Sequence, residues 1–554
     1  MLGVEPHTVP WLLVAAALAY LVFLAARFGH LISAVHWSSD AAFFQVLALD
    51  RPRPAATGSF VNLGDTPHYM AILFLFATRG LPGRQAIWNV APFVSSVVAV
   101  GLMAWASRRV FGRRGGYLTL CVGVCASLPV LQTILPHGVR NWTWLADAAT
   151  GTLLVLLIHT FTSQQRSRAR TLGCAAAGVG ATAFAGLTLA SDPLFMAAAL
   201  GPFALATGVV VLRHPSRASM RLAVSAAAVV AASLVLSALV TGAMKGLGFR
   251  STYPSQPFVL AGYPQMLRNI GFAGEALLGL GNGLFFGRRL DLVSATMVVS
   301  GLLGLVAIAT ALTASARGLV QHDQRAGKGM LTRPDPGTGR DPVLTGFLAY
   351  WTFSAVLVVA AFTLSSVPVG GLASSRYLVP VFYAVAALLP LWGMRSRTRW
   401  MGVVAAAAVF CVAGILTQDV LVTFDRGADA RSRDGPKVIE YLEKEGLSRG
   451  YAGYWDSHAL TWHSSGRTRV YPVFECAAEK KLCPFMLAVD SAWYRPVPAT
   501  RTFILARPTG LPPVLPSPPA EVFGRPAQTA VVGDYSIFVY DYDVAVRFGP
   551  MPGS

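Results

Sequence analysis

Two carboxylates lie near each other in a stretch between apolar segments. Asp40 follows the first apolar segment, and Asp65 comes shortly before the next one, beside His68 and Tyr69. A carboxylate within hydrogen-bond reach of an attacking hydroxyl group can take its proton as a general base. The simpler interpretations are that Asp40 caps the helix that follows it and that Asp65 is a turn residue before a proline. These alternatives stay open, and we expect His68 to contact a phosphate or Asp65.

Two arginines are candidates for binding a phosphate. Arg376 opens an apolar segment, next to Tyr377, where basic residues are otherwise rare. A planar guanidinium can hold a phosphate through two hydrogen bonds. Arg140 is a second candidate by the same argument, and Lys245 and Arg268 could line the same cavity from a later segment. The alternative is that these side chains only extend toward water from the edge of a membrane.

Aromatic and polar residues are interleaved in the C-terminal part of the chain. Tyr454 and Asp456 lie in a stretch that continues to Trp462. Aromatic rings beside a carboxylate suit sugar binding, so Tyr454 and Asp456 are the residues expected on an exposed ligand face. The same stretch is also typical of a strand with Trp462 in the core.

Cys476 and Cys483 enclose a six-residue loop in the same part of the chain. In an oxidising compartment this spacing favours a disulfide. A zinc site with His458 and His463 is the alternative. No metal site is assigned and no cofactor is certain, although a divalent metal near the early carboxylates stays open.

The composition is that of an integral membrane protein. Of the 554 residues, 54% are apolar and only 13% are charged, whereas soluble domains carry roughly a quarter of charged residues. The net charge of +19 could suggest nucleic acid. Much of the excess lies in short clusters between apolar segments, which is the pattern that orients a membrane protein. We therefore expect membrane lipids, and no nucleic acid, as partners.

About eleven transmembrane helices are predicted, because a helix needs about 20 apolar residues to cross a bilayer. The first lacks the basic start of a signal peptide and is expected to be retained. The apolar stretch 68–79 is too short and is expected to lie in the interface. The predicted spans are 10–28, 86–107, 115–134, 142–162, 171–190, 193–212, 221–244, 292–316, 343–366, 376–394 and 400–423.

The basic residues predict the orientation of these helices. With eleven spans, every basic cluster falls on one face, which the positive-inside rule makes cytoplasmic together with the N-terminus. The opposite face receives the loops 29–85 and 245–291 and a domain at 424–554. That domain is predicted to be a small α/β unit, with a helix near 438–446 and strands at 469–473, 502–506 and 535–540. The transmembrane domain is placed at 1–423. The clusters lie at 108–114, 166–170, 213–221, 317–340 and 395–399.

Four features of the chain, three groups of short motifs and one domain, resemble the GT-C superfamily of membrane glycosyltransferases. They are Asp-Ala-Ala-Phe-Phe at 40–44, Asp-Thr-Pro-His-Tyr at 65–69 with the Arg-Arg-Val-Phe-Gly-Arg-Arg cluster at 108–114, Arg-Tyr-Leu-Val-Pro at 376–380, and the C-terminal outward domain. Many members have an acidic doublet where this chain has Ser39 and Asp40. The second proline and the leucine of the family's Pro-Pro-Leu-Tyr-Tyr segment are also replaced.

The resemblance implies an enzyme that transfers a sugar from a polyprenyl-phosphate donor to a glycan, lipid or protein of the cell envelope, on the outer face of the plasma membrane. It implies an inverting reaction with Asp40 as the base and Asp65 in support. Arg376 would bind the phosphate, with His68, Tyr69 and Tyr377 around the substrate. The alternatives are a non-catalytic protein that binds lipid-linked glycans or acts as a scaffold, and a transporter or flippase. The richness in Ala, Gly, Val and Arg hints at a high-GC bacterium such as an actinobacterium.

The transporter alternative predicts charges buried within the spans. Asp147 and Asp192 are the candidates in the spans up to residue 244. Both lie close to predicted span ends, which favours the enzyme.

Overall fold

A computed structural model gives the protein's fold over most of the chain. The residues that it describes are 8–50, 59–63, 67–127, 130–131, 133, 135, 140–163, 168–251, 259–283, 285–327, 341–366, 368, 370, 374–394, 397–416, 426–476, 481–485, 487–507 and 520–549.

The protein is an α-helical multi-pass membrane protein with a small C-terminal α/β domain. Within the described residues, ten helices are long and apolar enough to cross a membrane. The helices before the C-terminal domain are α1 Thr8–His36, α2 Ser39–Asp50, α3 Tyr69–Thr78, α4 Arg84–Val124, α5 Asn141–Thr162, α6 Arg168–Ser191, α7 Gly201–Arg213, α8 Arg217–Gly246, α9 Tyr263–Leu280, α10 Leu292–Gly327, α11 Pro342–Leu364, α12 Val379–Gly393 and α13 Arg397–Leu416. A π-helical turn at Met196–Leu200 leads into α7, and a 3₁₀ turn at Ser375–Leu378 leads into α12.

Helix α4 accounts for the difference between ten helices and eleven predicted spans. Its 41 residues are broken at Gly112, which has φ 75° and ψ −172°, a conformation open only to glycine. The chain reverses there, and the two arms pack against each other. A Cβ on Gly123 would lie 2.6 Å from Val100, and the Thr119 hydroxyl donates to Ser107 Oγ at 2.8 Å. The two arms correspond to two of the predicted spans. The short apolar helix α3 is separate from these arms. Its ten residues are too few to cross a bilayer.

Contacts at the predicted cytoplasmic end tie the basic connections together. Arg213, at the end of α7, donates to the carbonyl of Leu319 in α10. His214 Nε2 lies 3.3 Å from Thr345 Oγ1 at the start of α11. The ends of three helices that carry predicted inward clusters therefore lie side by side.

The three segments predicted to face outward are joined by a small sheet. Its strands are β1 Val61–Asn62, β2 Phe249–Arg250 and β6 Val489–Asp490, in the order β2-β1-β6. Val61 pairs with Phe249 in parallel and with Asp490 in antiparallel orientation. Described parts of both long loops and of the C-terminal domain therefore lie together at one end of the helix bundle.

The C-terminal domain is built on a six-stranded mixed sheet in the order β5-β4-β3-β7-β9-β8. Strand β3 is parallel to β4 and β7, whereas β9 is antiparallel to β7 and β8. Its helices are α14 Arg426–Lys444, α15 Tyr454–His463 and α16 Ala520–Phe523. Its strands are β3 Arg449–Ala452, β4 Arg469–Cys476, β5 Lys481–Pro484, β7 Thr502–Ala506, β8 Gln528–Val532 and β9 Tyr535–Tyr540, with 3₁₀ turns at Ser491–Tyr494 and Val544–Arg547.

The sequence predicts the start of this domain better than its next element. Gly446 ends α14 with φ 67°, and the amide of Leu447 donates to the carbonyl of Leu442 at 2.8 Å. This is the Schellman arrangement that a glycine after a helix favours. The strand considered around Trp462 is wrong, because residues 454–463 form helix α15. Trp462 is nevertheless buried, as expected of a core residue.

Candidate functional site

Asp40 lies in the first turn of α2, between the membrane domain and the C-terminal domain. Its carboxylate is half-buried and accepts a hydrogen bond from the Tyr454 hydroxyl at 2.5 Å. Tyr454 is the first residue of α15 and is 3% exposed. A charge-assisted bond of this kind is about twice as strong as a neutral one. It holds the Asp40 carboxylate in a defined orientation.

Further contacts fasten α2 to the C-terminal domain at both ends. The Ser39 hydroxyl donates to the carbonyl of Tyr454, and the His458 amide donates to Ser39 Oγ at 3.3 Å. At the other end of the helix, Arg469 forms an ion pair with Asp50. The Ser39 side chain is therefore part of the contact between α2 and α15.

His68 connects α2 to the cationic part of the site. It precedes α3 in the left-handed conformation with φ 44°, and the ring of Phe44, one turn after Asp40, meets it edge-on at 5.6 Å. Burial and the positive charges of Arg140 and Arg376 lower the pKa of His68 well below its usual value. The imidazole is therefore neutral at pH 7. Two guanidinium groups lie close enough to act on it.

Tyr377 lies between the two arginines. The guanidinium carbon of Arg140 lies 4.4 Å from the centre of its ring, and that of Arg376 lies 5.4 Å from it. Contacts of this kind stabilise a cation over an aromatic ring by about 0.5–2 kcal/mol. They also place the two cations around one side chain, near the start of α5 and the start of α12.

Arg140 is further held by a buried acid. Its Nε donates to Asp192 Oδ2 at 2.8 Å, and the two side chains are 10% and 1% exposed. Asp192 also accepts from the Thr143 hydroxyl at 3.0 Å and from the Leu194 amide at 3.1 Å. The Asp192 carboxylate thus offsets the charge of the Arg140 guanidinium.

The structure brings some of the predicted site residues together. Asp40 and Tyr454 form one group, and His68, Arg140, Arg376 and Tyr377 form another, linked through Phe44. Tyr69 is 3% exposed and packs in the core shared by α2, α3 and the C-terminal domain.

Other predicted residues lie apart from that assembly or outside the described residues. Asp65 falls outside the described residues. Lys245 and Arg268 are exposed, and Arg268 donates to Gln265 on its own helix at 2.8 Å.

Asp456 does not lie on an exposed ligand face. It is 9% exposed, accepts from the Tyr535 hydroxyl at 2.8 Å and lies 3.7 Å from Arg507. Tyr454 is buried as well, so the expected exposed face is wrong for both residues. The reason is that residues 454–463 form a helix whose first turn faces α2 and the sheet together.

The structure also places residues whose role the sequence did not reveal. Asp192 was notable only as an acid near a span end, and its pairing with Arg140 joins two loops that are 52 residues apart. Asp147 is buried within α5 and accepts from the Tyr350 hydroxyl at 2.6 Å. The sequence signal for this pairing was that Asp192 and Arg140 are isolated charged residues in loops predicted on the same side of the membrane.

Cys476 and Cys483 are bonded to each other across β4 and β5, with their Cα atoms 5.7 Å apart. His458 and His463 take no part in this link. Among the described residues, no group of three or more His, Cys, Asp or Glu side chains is arranged to hold a metal ion.

Comparisons with known proteins find similarity in three-dimensional structure only. No family model and no curated protein sequence matches the chain. The chain is similar to ArnT from Cupriavidus metallidurans in the apo state, with 13% identity and a TM-score of 0.47 over 97% of this chain and 100% of that one. ArnT from the same organism bound to undecaprenyl phosphate is 13% identical, with a TM-score of 0.45 over 96% of this chain and 99% of that one. The oligosaccharyltransferase of Archaeoglobus fulgidus in the apo form is 15% identical, with a TM-score of 0.45 over 84% of this chain and 64% of that one.

These solved structures are members of the GT-C superfamily, the group that the sequence motifs resemble. At such identities and TM-scores, no residue role and no substrate is transferred from them to this chain.

Proposed function

We propose that this protein is an inverting membrane glycosyltransferase that uses a polyprenyl-phosphate sugar as donor and a cell-envelope glycan, lipid or protein as acceptor. The observation that carries the proposal is an oriented carboxylate at the start of α2 and a group of cations near His68, which the Phe44 ring contacts from the same helix. Asp40 supplies the carboxylate, and Arg140 and Arg376 supply the cations.

Asp40 is the proposed base. As the acceptor hydroxyl attacks the anomeric carbon, its proton passes to the Asp40 carboxylate. The Tyr454 hydroxyl occupies Oδ1 at 2.5 Å and leaves Oδ2 for the acceptor. Tyr454 is thus a positioning residue, which keeps the free oxygen directed at the substrate.

The leaving group needs positive charge rather than a proton donor. When the glycosidic bond breaks, its electron pair goes to the polyprenyl phosphate, whose charge increases. Fixed cations that face a developing charge lower the barrier because they need no reorganisation. The guanidinium groups around Tyr377 fit this role, and the neutral His68 can donate one further hydrogen bond to a phosphate oxygen.

We further propose that the site faces the extracytoplasmic side of the plasma membrane, with the N-terminus in the cytoplasm. The basic connections of α7, α10 and α11 meet at the opposite end of the bundle, and the positive-inside rule favours the cytoplasm for that end. Nucleotide sugars are not expected outside the cytoplasm, so a lipid-linked donor is the appropriate class.

Replacing Asp40 with asparagine tests the proposal. The protein is reconstituted in nanodiscs and supplied with a panel of undecaprenyl-phosphate sugars and an envelope extract as acceptor. We expect Asp40→Asn to lower the transfer rate about 10²- to 10⁴-fold, the usual contribution of a general base. Asp541→Asn is the matched control, because Asp541 is an outward carboxylate whose side chain is 73% exposed. Full activity of Asp40→Asn rules out the assignment.

A non-catalytic glycan-binding protein is the second candidate. Ser39 favours it, because its hydroxyl is engaged with Tyr454 and His458 where many GT-C proteins carry a second acid. This candidate predicts that wild type and Asp40→Asn retain undecaprenyl phosphate equally and that neither transfers sugar.

A further inference from the structure

The reversal within α4 carries four arginines. Arg108 and Arg109 precede Gly112, and Arg113 and Arg114 follow it. All four arginines are exposed, and the ion pairs of the described residues involve none of them. The positive charge of this turn is therefore not offset by an ion pair within the described part of the chain.

Contacts with aromatic rings hold the turn in place. The Phe111 ring meets the Phe347 ring of α11 edge-on, with the ring centres 5.6 Å apart. The guanidinium carbon of Arg109 lies 5.0 Å from the centre of the Trp105 ring. Since Phe347 comes two residues after Thr345, the turn lies at the end of the bundle where the basic connections of α7, α10 and α11 meet.

A second basic connection, between α12 and α13, adjoins this turn. A Cβ on Gly393 would lie 3.5 Å from Leu118 in the second arm of α4 and 3.6 Å from Trp400 in α13. Arg399, which precedes Trp400, is exposed, and its guanidinium carbon lies 6.0 Å from the centre of the Trp392 ring. Because Leu118 follows the arginines of the turn by about one turn of helix, cations from both connections belong to one surface.

This surface suits the phosphate groups of lipids. The two segments that form it contain no Asp or Glu, from residue 66 to 146 and from 342 to 418. Tryptophan side chains favour the depth of the lipid headgroups, and Trp105, Trp392 and Trp400 are all half-buried. Guanidinium groups hold a phosphate through paired, charge-assisted hydrogen bonds. The positive-inside rule accounts for the sign of these charges, but it does not require two connections to converge.

We propose that this surface, which we call the α4-turn patch, binds the headgroup of an anionic phospholipid with two phosphates. A headgroup with two phosphates can engage the α4 turn and the α12–α13 connection at once, whereas a single phosphate engages one of them. Sugar transfer takes no part in this binding, so the inference does not rest on the proposed function. The cations of the patch are Arg108, Arg109, Arg113, Arg114 and Arg399.

Binding is measured by native mass spectrometry of the full-length protein in detergent, which counts the bound lipid molecules. Cardiolipin, which has two phosphates, is compared with phosphatidylglycerol, which has one, and with zwitterionic phosphatidylcholine. We expect the first cardiolipin to bind most tightly and phosphatidylcholine most weakly. Equal affinity for cardiolipin and phosphatidylcholine overturns the proposal, and equal affinity for cardiolipin and phosphatidylglycerol overturns the assignment of a headgroup with two phosphates.

Matched double variants locate the site. Arg113→Gln with Arg114→Gln removes two of the cations and is expected to weaken binding of the first cardiolipin about 10- to 30-fold, because each arginine near a lipid surface contributes about fivefold. Arg113→Lys with Arg114→Lys keeps the charge and should retain most of the affinity. Arg217→Gln with Arg221→Gln is the matched control, because it removes two exposed cations from the start of α8.

The glutamine variants change only exposed residues, so their thermal unfolding without added lipid should match that of wild type. An equal loss of cardiolipin binding in the two glutamine double variants would mean diffuse attraction to positive charge, and it would refute the α4-turn patch. Unchanged binding in Arg113→Gln with Arg114→Gln would refute it as well. Arg399→Gln is expected to reduce the preference for cardiolipin over phosphatidylglycerol, and an unchanged preference removes the second connection from the site.

Discussion

The buried pair of Arg140 and Asp192 allows a structural role to be separated from a role in phosphate binding. The perturbation is Arg140→Met, which keeps the length of the side chain and removes its charge. Asp192 is 1% exposed and would then be a buried carboxylate without its cation. Breaking such a pair from one side costs about 3–5 kcal/mol of stability.

The double variant Arg140→Met with Asp192→Asn should recover most of that stability. The Oδ1 atom of asparagine can still accept from the Leu194 amide at 3.1 Å, and its Nδ2, which takes the place of Oδ2, can donate to the Thr143 hydroxyl at 3.0 Å. No unpaired charge is then left inside the protein, and replacing a buried ion pair by neutral groups is often close to neutral in free energy. Thermal unfolding in nanodiscs measures this recovery.

Activity should behave differently from stability. If Arg140 faces the leaving phosphate, the double variant stays impaired by about 10²-fold, the usual effect of removing one group that stabilises a developing charge. Sugar transfer by stable, purified double variant measures the loss. Wild-type activity in this variant would refute the reasoning, because it would leave Arg140 with a purely structural role.

Two further predictions concern the C-terminal domain. Burial lowers the pKa of His458 to about 3 and that of His463 to about 4, so below the unfolded pKa of about 6.5 only the unfolded chain gains protons. We expect the free energy of unfolding to fall by on the order of 1 kcal/mol per pH unit for each histidine as pH drops from 6.5 toward 4; unfolding of wild type against His463→Gln checks this, and identical pH profiles would contradict it. A Cβ on Gly435 would lie 2.2 Å from the Trp37 ring, so Gly435→Ala should cost about 1–3 kcal/mol by overpacking. Unfolding in denaturant measures that cost, and an unchanged midpoint would show that α14 can shift away from Trp37.

Apolar length and basic clusters were enough to predict the membrane domain. Each predicted span corresponds to a helix or to an arm of α4. The reason is that a single apolar segment in lipid can satisfy its own backbone hydrogen bonds only by forming a helix. The reversal at Gly112 is also visible in the sequence, where a glycine stands among four arginines. The exact ends of the helices could not be predicted from the sequence. For example, α1 continues to His36, although residues 29–85 were assigned to a loop.

The assembly at the outward end was beyond sequence reasoning. Strands β1, β2 and β6 have two residues each, which is too short for an alternating pattern. The contacts of Asp40 with Tyr454 and of Arg140 with Asp192 join residues far apart in the chain, and a single sequence carries no record of such pairs. A strand was one alternative for residues 454–463 because aromatic residues favour strands locally, whereas these residues form helix α15, which packs against α2.

The order of synthesis gives the three-stranded sheet a consequence for biogenesis. Strand β1 leaves the ribosome long before Phe249 and Asp490, the residues opposite Val61. Until both have been made and have folded against it, that strand has an unsatisfied backbone edge and Asp40 has no tyrosine beside it. Under the proposed function and orientation, we therefore expect a newly made chain to stay inactive, and exposed to proteases and chaperones, until its last domain has been translocated.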